Sequence, residues 1–518
     1  MPAYSISFPH LDSRLIDVEM RFPSHAGDMI LNLPAWIPGS YMIRDFARNI
    51  VSLHVEGESK KPVVTKLDKQ SWRLEGCSGE MRIAYQVYAN DLSVRSAHAD
   101  STHAYFNGTS LFLRLEGAED EAHDVRISDE GTLPEWRVAT TMPVVEVDER
   151  GFGRYRARSY ESLIDYPVEI APLDACDFSV RGIPHRLAIY GRHHCDFERL
   201  KCDLEKICSV HADLFDDLPL ERYLFMVTAV GDGYGGLEHR DSTSLMCSRK
   251  ELPRRGEEAV TKDYRRFLGL CSHEYFHLWN VKRIRPQVLK LAKLDQEAHT
   301  SLLWAFEGIT SYYDDLALVR SGVIEPKAYL EQLCEIVTRV MRGRGRFRQS
   351  VAESSFDAWT RFYKQDENAP NAIVSYYAKG SLIALALDLK LRYETQGRVS
   401  LDDVMRECWQ RFGETGRGMA EREFETVASE VAGLDLTDFF DAQRVGHCMG
   451  IAEANRTGRD RRPASGGRPP IPRPVGRRLE QQAAAILQET CRGERLQRVV
   501  EPGPQAGQQT KSQIVGDI

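Results

Sequence analysis

The chain has 518 residues, enough for at least two domains, and its 42% hydrophobic and 28% charged residues are the balance of a soluble globular protein. A net charge of −8, from 68 basic and 76 acidic residues, exerts no general pull on nucleic acid or acidic lipid, so neither is an expected partner. No apolar run approaches the roughly 20 residues that span a bilayer, which excludes a membrane protein built on spanning helices. The start, Met1-Pro2-Ala3-Tyr4-Ser5, has no basic segment followed by an apolar one, so no secretory signal is expected. Eleven cysteines without paired spacing point to reduced thiols and a cytoplasmic location.

Residues 1–170 read as a β domain. Ile16, Val18, Met20 and Phe22 alternate with other residues, as do Met81, Ile83, Tyr85 and Val87, the pattern of half-buried strands. Pro34, Pro38 and Gly39 punctuate the stretch around Trp36. Asn107-Gly108 predicts a hairpin-type turn ahead of Leu111, Leu113 and Leu115 at period two. From about 175 to 230 the pattern is mixed. It ends in a short apolar strand over 223–230 and a glycine-rich turn over 231–236. Helical patterns dominate 258–443, with helices expected over 259–283, 297–320, 326–342, 375–393, 401–412 and 421–431. The whole of 171–443 reads as a catalytic domain. At about Ala442 the composition changes, and 459–478 is an Arg/Pro/Gly run without the apolar residues of a core. The tail 444–518 is therefore expected to be disordered, apart from one short helix over 479–489.

Within the first long helical pattern stands His273-Glu274-Tyr275-Phe276-His277, an H-E-x-x-H motif. Positions four apart lie one above the other on a helix, so both imidazoles face one point. Two neutral imidazoles on one face suit Zn²⁺, and the intervening glutamate is placed to act on a metal-bound water. Catalytic zinc takes a third protein ligand. Glu307 sits among apolar neighbours in WAFEGITSYYDD, where a buried carboxylate needs a partner, and Glu297 competes from a more polar stretch nearer in sequence.

The segments HEYFHLWNVKRIRP and LLWAFEGITSYYDD together resemble the glycyl aminopeptidase family of gluzincin metallopeptidases, relatives of the aminopeptidase N and thermolysin groups. PAWIPGSYMIRDFARNI, NGTSLFL and GGLEHRDST resemble the same family, so the likeness covers about residues 1–440. It implies an α+β fold, with the N-terminal β domain followed by a thermolysin-like, mostly helical zinc-peptidase domain. It implies one Zn²⁺ per chain on His273, His277 and Glu307, with Glu307 a better match than Glu297, and Glu274 as general base. Glu238 matches a glutamate that binds the free α-amino group of the substrate, although Leu237 and His239 stand where relatives of the aminopeptidase N group carry Met and Asn. Tyr377, in YYAKG, matches a tyrosine that donates to the oxyanion, with Tyr376 as the adjacent alternative. The implied reaction is hydrolysis of the first bond of peptides with a free N-terminus, after small residues such as Gly or Ala. A zinc endopeptidase or oligopeptidase on the same site, or a non-catalytic peptide-binding protein, are the alternatives. Family members usually carry a PDZ domain after the catalytic domain. Residues 445–518 show neither its glycine turn nor its alternating strands, as a frameshifted or truncated end would.

Overall fold

The two alternating stripes near the N-terminus are partners. Strands Leu15–Asn32 and Ser71–Tyr88 run antiparallel, with Ile16 opposite Val87, Val18 opposite Tyr85, Met20 opposite Ile83 and Phe22 opposite Met81. All eight side chains are buried, because a period of two sends them to one face of the sheet. The computed structural model describes the backbone of residues 1–58 and 61–444, so the expectations for the tail and its missing PDZ domain lie outside the described residues. The paired strands form the middle of a nine-stranded sheet, which Ala3–His10 extends antiparallel and His123–Ile127 then extends parallel. A four-stranded sheet, including Ala104–Phe106 and Val168–Ala171, buries its apolar residues in the same core.

The hairpin expected at Asn107-Gly108 does not form. Asn107 has φ −91° and ψ 145° and leads into a single 3₁₀ turn, Gly108–Ser110, whereas an Asn-Gly hairpin turn needs positive φ at both residues. Asn107 is instead fully buried and donates from Nδ2 to the Val94 carbonyl at 2.8 Å. Leu111, Leu113 and Leu115 are buried as their spacing predicts, but only Arg114–Leu115 is strand.

The second half opens with a five-stranded sheet in the order Asp174–Val180, Ile183–Gly191, Tyr223–Val230, Ser242–Ser248, Gly235–Glu238. The strand expected over 223–230 is there. The glycine-rich turn is shorter than expected, because Gly235 and Gly236 already belong to an antiparallel edge strand. Two glycines carry no side chain to reveal a period of two. Helices then follow. Lys262–Phe276 starts at Thr261, whose hydroxyl accepts from the Tyr264 N–H at 3.1 Å. It ends at His277 rather than near Arg283, since Val281 turns the chain at φ 120°. The helix expected from 297 begins only at Trp304. Its first turn, Trp304–Gly308, is π-helical, and Ile309–Arg320 continues as α. Pro326–Arg342 runs as predicted, with Pro326 at the first helical position, and Tyr376–Glu394 is displaced by one residue at each end. The architecture is α+β.

The segment between the first two long strands crosses from one half to the other. Ala35, Trp36 and Tyr41 belong to the core of the helical half. Trp36 meets Trp359 edge to face at 4.9 Å and donates to the Gln296 carbonyl at 3.0 Å. In return, Leu237 of the edge strand packs into the β core.

Gly308 and Gly380 bring the π turn and the helix Tyr376–Glu394 into backbone contact. A Cβ on Gly308 would lie 2.6 Å from the Gly380 Cα and 2.9 Å from the Tyr376 carbonyl. Both neighbours are backbone and cannot swing away. Gly308→Ala should therefore cost about 1–3 kcal/mol of stability, the usual penalty of overpacking. Denaturant unfolding checks this, and an unchanged midpoint would contradict the close approach.

Candidate active site

His273 and His277 project from the last turn of Lys262–Phe276, and Glu307 projects from the π turn. Their ligand atoms converge. The two Nε2 atoms are 3.1 Å apart, and Glu307 Oε2 lies 3.6 Å from His273 Nε2 and 3.3 Å from His277 Nε2. Glu297 is exposed and lines a different groove. The structure thus brings Glu307, and not Glu297, to the histidines.

The surroundings fix both imidazoles. His273 Nδ1 pairs with Asp314 Oδ2 at 2.9 Å, and His277 Nδ1 donates to the Asn280 carbonyl at 2.7 Å. Asn280 is itself held, donating to the Phe306 carbonyl at 3.0 Å. With each Nδ1 engaged outward, each Nε2 presents its lone pair inward. Two such nitrogens face to face beside a buried carboxylate repel unless a proton or a cation lies between them. This donor set fits a divalent metal with nitrogen and oxygen ligands. Burial disfavours a charged His273, but Asp314 and Glu307 outweigh it and raise its pKa well above the ordinary value. Glu307 moves down, because the charge of His277 and hydrogen bonds from both imidazoles overcome its own burial.

Glu274 lies between the histidines on the same helix and is not part of this cluster. Burial pushes its carboxyl up; the two histidines oppose that and Glu238 adds to it, leaving it at about 7. Its Oε2 is buried with no hydrogen-bond partner among the described residues. A Cβ on Gly236 of the edge strand would collide with this carboxylate, so glycine there makes its room.

Glu238 closes the same edge strand. Its side chain is 3% exposed and its Oε1 has no partner among the described residues. Gly39, from the crossing segment, has φ +94°, and a Cβ there would lie 2.5 Å from both Glu238 oxygens. His239, next along, binds Asp165 Oδ1 at 3.2 Å, and Lys282 Nζ reaches the same oxygen at 2.7 Å.

Tyr377 and Tyr376 part company. One cavity of about 750 Å³ is lined by His273, Glu274, His277, Glu307, Glu238 and Tyr377, while Tyr376 is fully buried away from it. The Tyr377 ring is 6.2 Å from that of His273. Burial and Glu307 hold its phenol well above the usual range, so it stays protonated and can donate. Tyr376 packs 4.6 Å behind it.

Two tyrosines at the site carry no signal in the helical half's motifs. Tyr41 donates to Glu307 Oε1 at 3.1 Å across the seam between the halves. Tyr363 lines the cavity with its hydroxyl 3.4 Å from that of Tyr377. Tyr41 lies inside the segment PGSYMIRDF, whose likeness to the family was the available clue. Nothing in the sequence around Tyr363 distinguishes it.

A model described as the peptidase M61 N-terminal domain matches residues 3–172, and one described as M61 glycyl aminopeptidase matches residues 266–383. A comparison with curated protein sequences gives no match. Among solved structures, an aminopeptidase N family protein from Idiomarina loihiensis is 43% identical over 86% of this chain and 76% of its own, with a TM-score of 0.84. A mutant of an M1 zinc metallopeptidase from Deinococcus radiodurans, bound to a Tyr-Ser-Ala substrate, superposes with a TM-score of 0.54 at 13% identity, over 92% of this chain and 95% of its own. Legionella pneumophila aminopeptidase A, in complex with aspartic acid, gives 0.52 at 14% identity, over 86% of this chain and 49% of its own. The last two share the fold. The two matched models, with the relative at 43% identity, make this chain a member of the M61 glycyl aminopeptidase family, and so a metallopeptidase.

Proposed function

We propose that the chain is a zinc-dependent aminopeptidase that hydrolyses the first bond of peptides with a free N-terminus, after small residues such as Gly or Ala. In this reading 1–170 is a β domain and 171–443 a thermolysin-like catalytic domain. The observation that carries it is Glu238. A carboxylate buried on the cavity wall beside the metal-ligand cluster, with one oxygen that has no partner among the described residues, calls for a cation, and the α-ammonium of a peptide is the one an aminopeptidase receives. The small-residue preference follows the family description, glycyl aminopeptidase.

His273, His277 and Glu307 would hold one Zn²⁺, which when bound supplies Lewis acidity to the scissile carbonyl and to the attacking water. Glu274, on the cavity wall, takes the water's proton on its carboxylate and passes it to the departing amine, work that suits a group near neutrality. Tyr377, protonated and on the cavity wall, donates to the oxyanion. Tyr41 holds Glu307 from behind, fixing which oxygen is free for the metal.

Metal analysis separates ligand from base. Glu307→Ala should lose bound zinc and activity together, whereas Glu297→Ala should keep both. Glu274→Gln should keep zinc and lose nearly all turnover. Zinc retained by Glu307→Ala would remove it from the ligand set.

Tyr377→Phe should keep zinc and lower kcat on the order of 10²- to 10³-fold, the scale of one oxyanion donor. Tyr376→Phe should leave kcat within a few-fold, and the opposite pattern would exchange the two roles.

The amine pocket is tested with paired substrates. A charge-assisted bond of about 1.5–3 kcal/mol corresponds to roughly 10- to 150-fold in affinity, so acetylating the substrate's amine should reduce kcat/KM by at least that much. Glu238→Ala should shrink the difference, mainly by slowing the free-amine substrate. Equal cleavage of both substrates by the unmodified enzyme would leave an endopeptidase as the better description.

A further inference from the structure

The catalytic cavity continues past the metal-ligand cluster along the helix Pro326–Arg342. Gln332, Glu335, Ile336 and Arg339 line it and recur at i, i+3, i+4 and i+7, so one face of that helix forms the wall. A second groove begins where the cavity leaves off. Glu335, Arg339, Ser375 and Ala378 line both, and the groove runs on past Arg342 and Arg346.

This groove is strongly basic in a chain whose net charge is −8. Arg339, Arg342 and Arg346 line it, and Arg344 and Arg348 flank it on the turn after the helix. Among the described residues none of the five is within ion-pairing distance of a carboxylate. Arg346 stacks on Phe347 and donates to the Met341 carbonyl, which leaves its charge uncompensated. Among the described residues that line the groove one is acidic, Glu335, and it is engaged by Lys262 at 3.1 Å. The turn is built against its opposite wall, since a Cβ on Gly345 would collide with the Ile373 carbonyl. At the junction the helix Tyr376–Glu394 opens from its cap Ser375, so its positive dipole end adds to the same field.

We propose that this groove receives the part of the peptide downstream of the cleaved bond, and that the enzyme selects peptides with acidic side chains there. The inference rests on the aminopeptidase reading and adds a substrate class to it. Gln332 to Arg342 spans three turns of helix, roughly 15 Å, which an extended peptide covers in about five residues. Acidic residues should therefore act several positions beyond the scissile bond, and short peptides should not feel the groove.

The test compares free-amine heptapeptides that are identical through the fourth residue and carry three Glu, Gln or Lys residues at the last three positions. Several part-screened pairs should raise kcat/KM for the Glu peptide about tenfold over the Gln peptide at low salt, with the Lys peptide slowest. The gap should close near 1 M salt, where the screening length falls to about 3 Å. A variant carrying both Arg342→Glu and Arg346→Glu should reverse the order. Equal rates for the three peptides with unmodified enzyme would overturn the proposal. Glycyl-nitroanilide, which has no downstream residues, separates the two failures. If it is cleaved while peptide charge is ignored, only this inference falls. If no free-amine substrate is cleaved, the functional reading falls and this one with it.

Discussion

Three carboxylates, those of Glu238, Glu274 and Glu307, are buried around one cavity, and the site is organised by that constraint. Buried carboxylates repel one another and are poorly solvated, so each must find a cation, find donors, or hold a proton. Their surroundings give each a different answer. Glu307 has two imidazoles and a tyrosine hydroxyl and is driven toward the anion. Glu274 has no donor to its Oε2 among the described residues and is pushed up toward neutrality. Glu238 has an oxygen with no partner among the described residues. One residue type thus yields a group suited to a metal, a group suited to moving a proton and a group suited to an ammonium, the separation by environment that acid–base enzymes rely on.

Holding these groups apart requires both halves of the chain. The crossing segment delivers Tyr41 to Glu307 and lets Gly39 pass against Glu238. Asp165, at the end of the helix Tyr160–Ile164, returns the contact by binding His239 and Lys282 and accepting from the Arg240 N–H at 3.0 Å. Its carboxyl is held below the ordinary range, because Lys282 and His239 overcome its own burial. The edge strand that ends in Glu238 is therefore pinned from the β half, at the residue next to the one that matters.

The legible parts of this molecule are those where local period and chemistry agree. The stripes 16–22 and 81–87 needed only alternation, whereas their pairing appears only in the structure. His273, Glu274 and His277 needed only helical spacing. Glu307 stood out as a carboxylate in an apolar context, and the resemblance of its E-G-x-x-S-Y-Y segment to the family set it ahead of Glu297. The misreadings share a cause. Asn107-Gly108 has hairpin composition, but tertiary burial of Asn107 overrides the turn preference. The π turn at Trp304–Gly308 has no distinct composition, since it arises from the extra residue that aims Glu307 inward. Tyr41 lies 266 residues from the carboxylate it binds, and no local pattern carries that distance.

The departures from the related glutamate strand motif lie at the seam between the halves. Leu237 and His239 stand where relatives of the aminopeptidase N group carry Met and Asn, which placed the amine role of Glu238 in question. Leu237, however, packs into the core of the β half, and His239 is tied to Asp165 of the same half. Side chains alternate along a strand, so Leu237 points away from the face that Glu238 presents. The identities of Leu237 and His239 answer to the β half that each of them contacts. The carboxylate between them stays on the cavity wall.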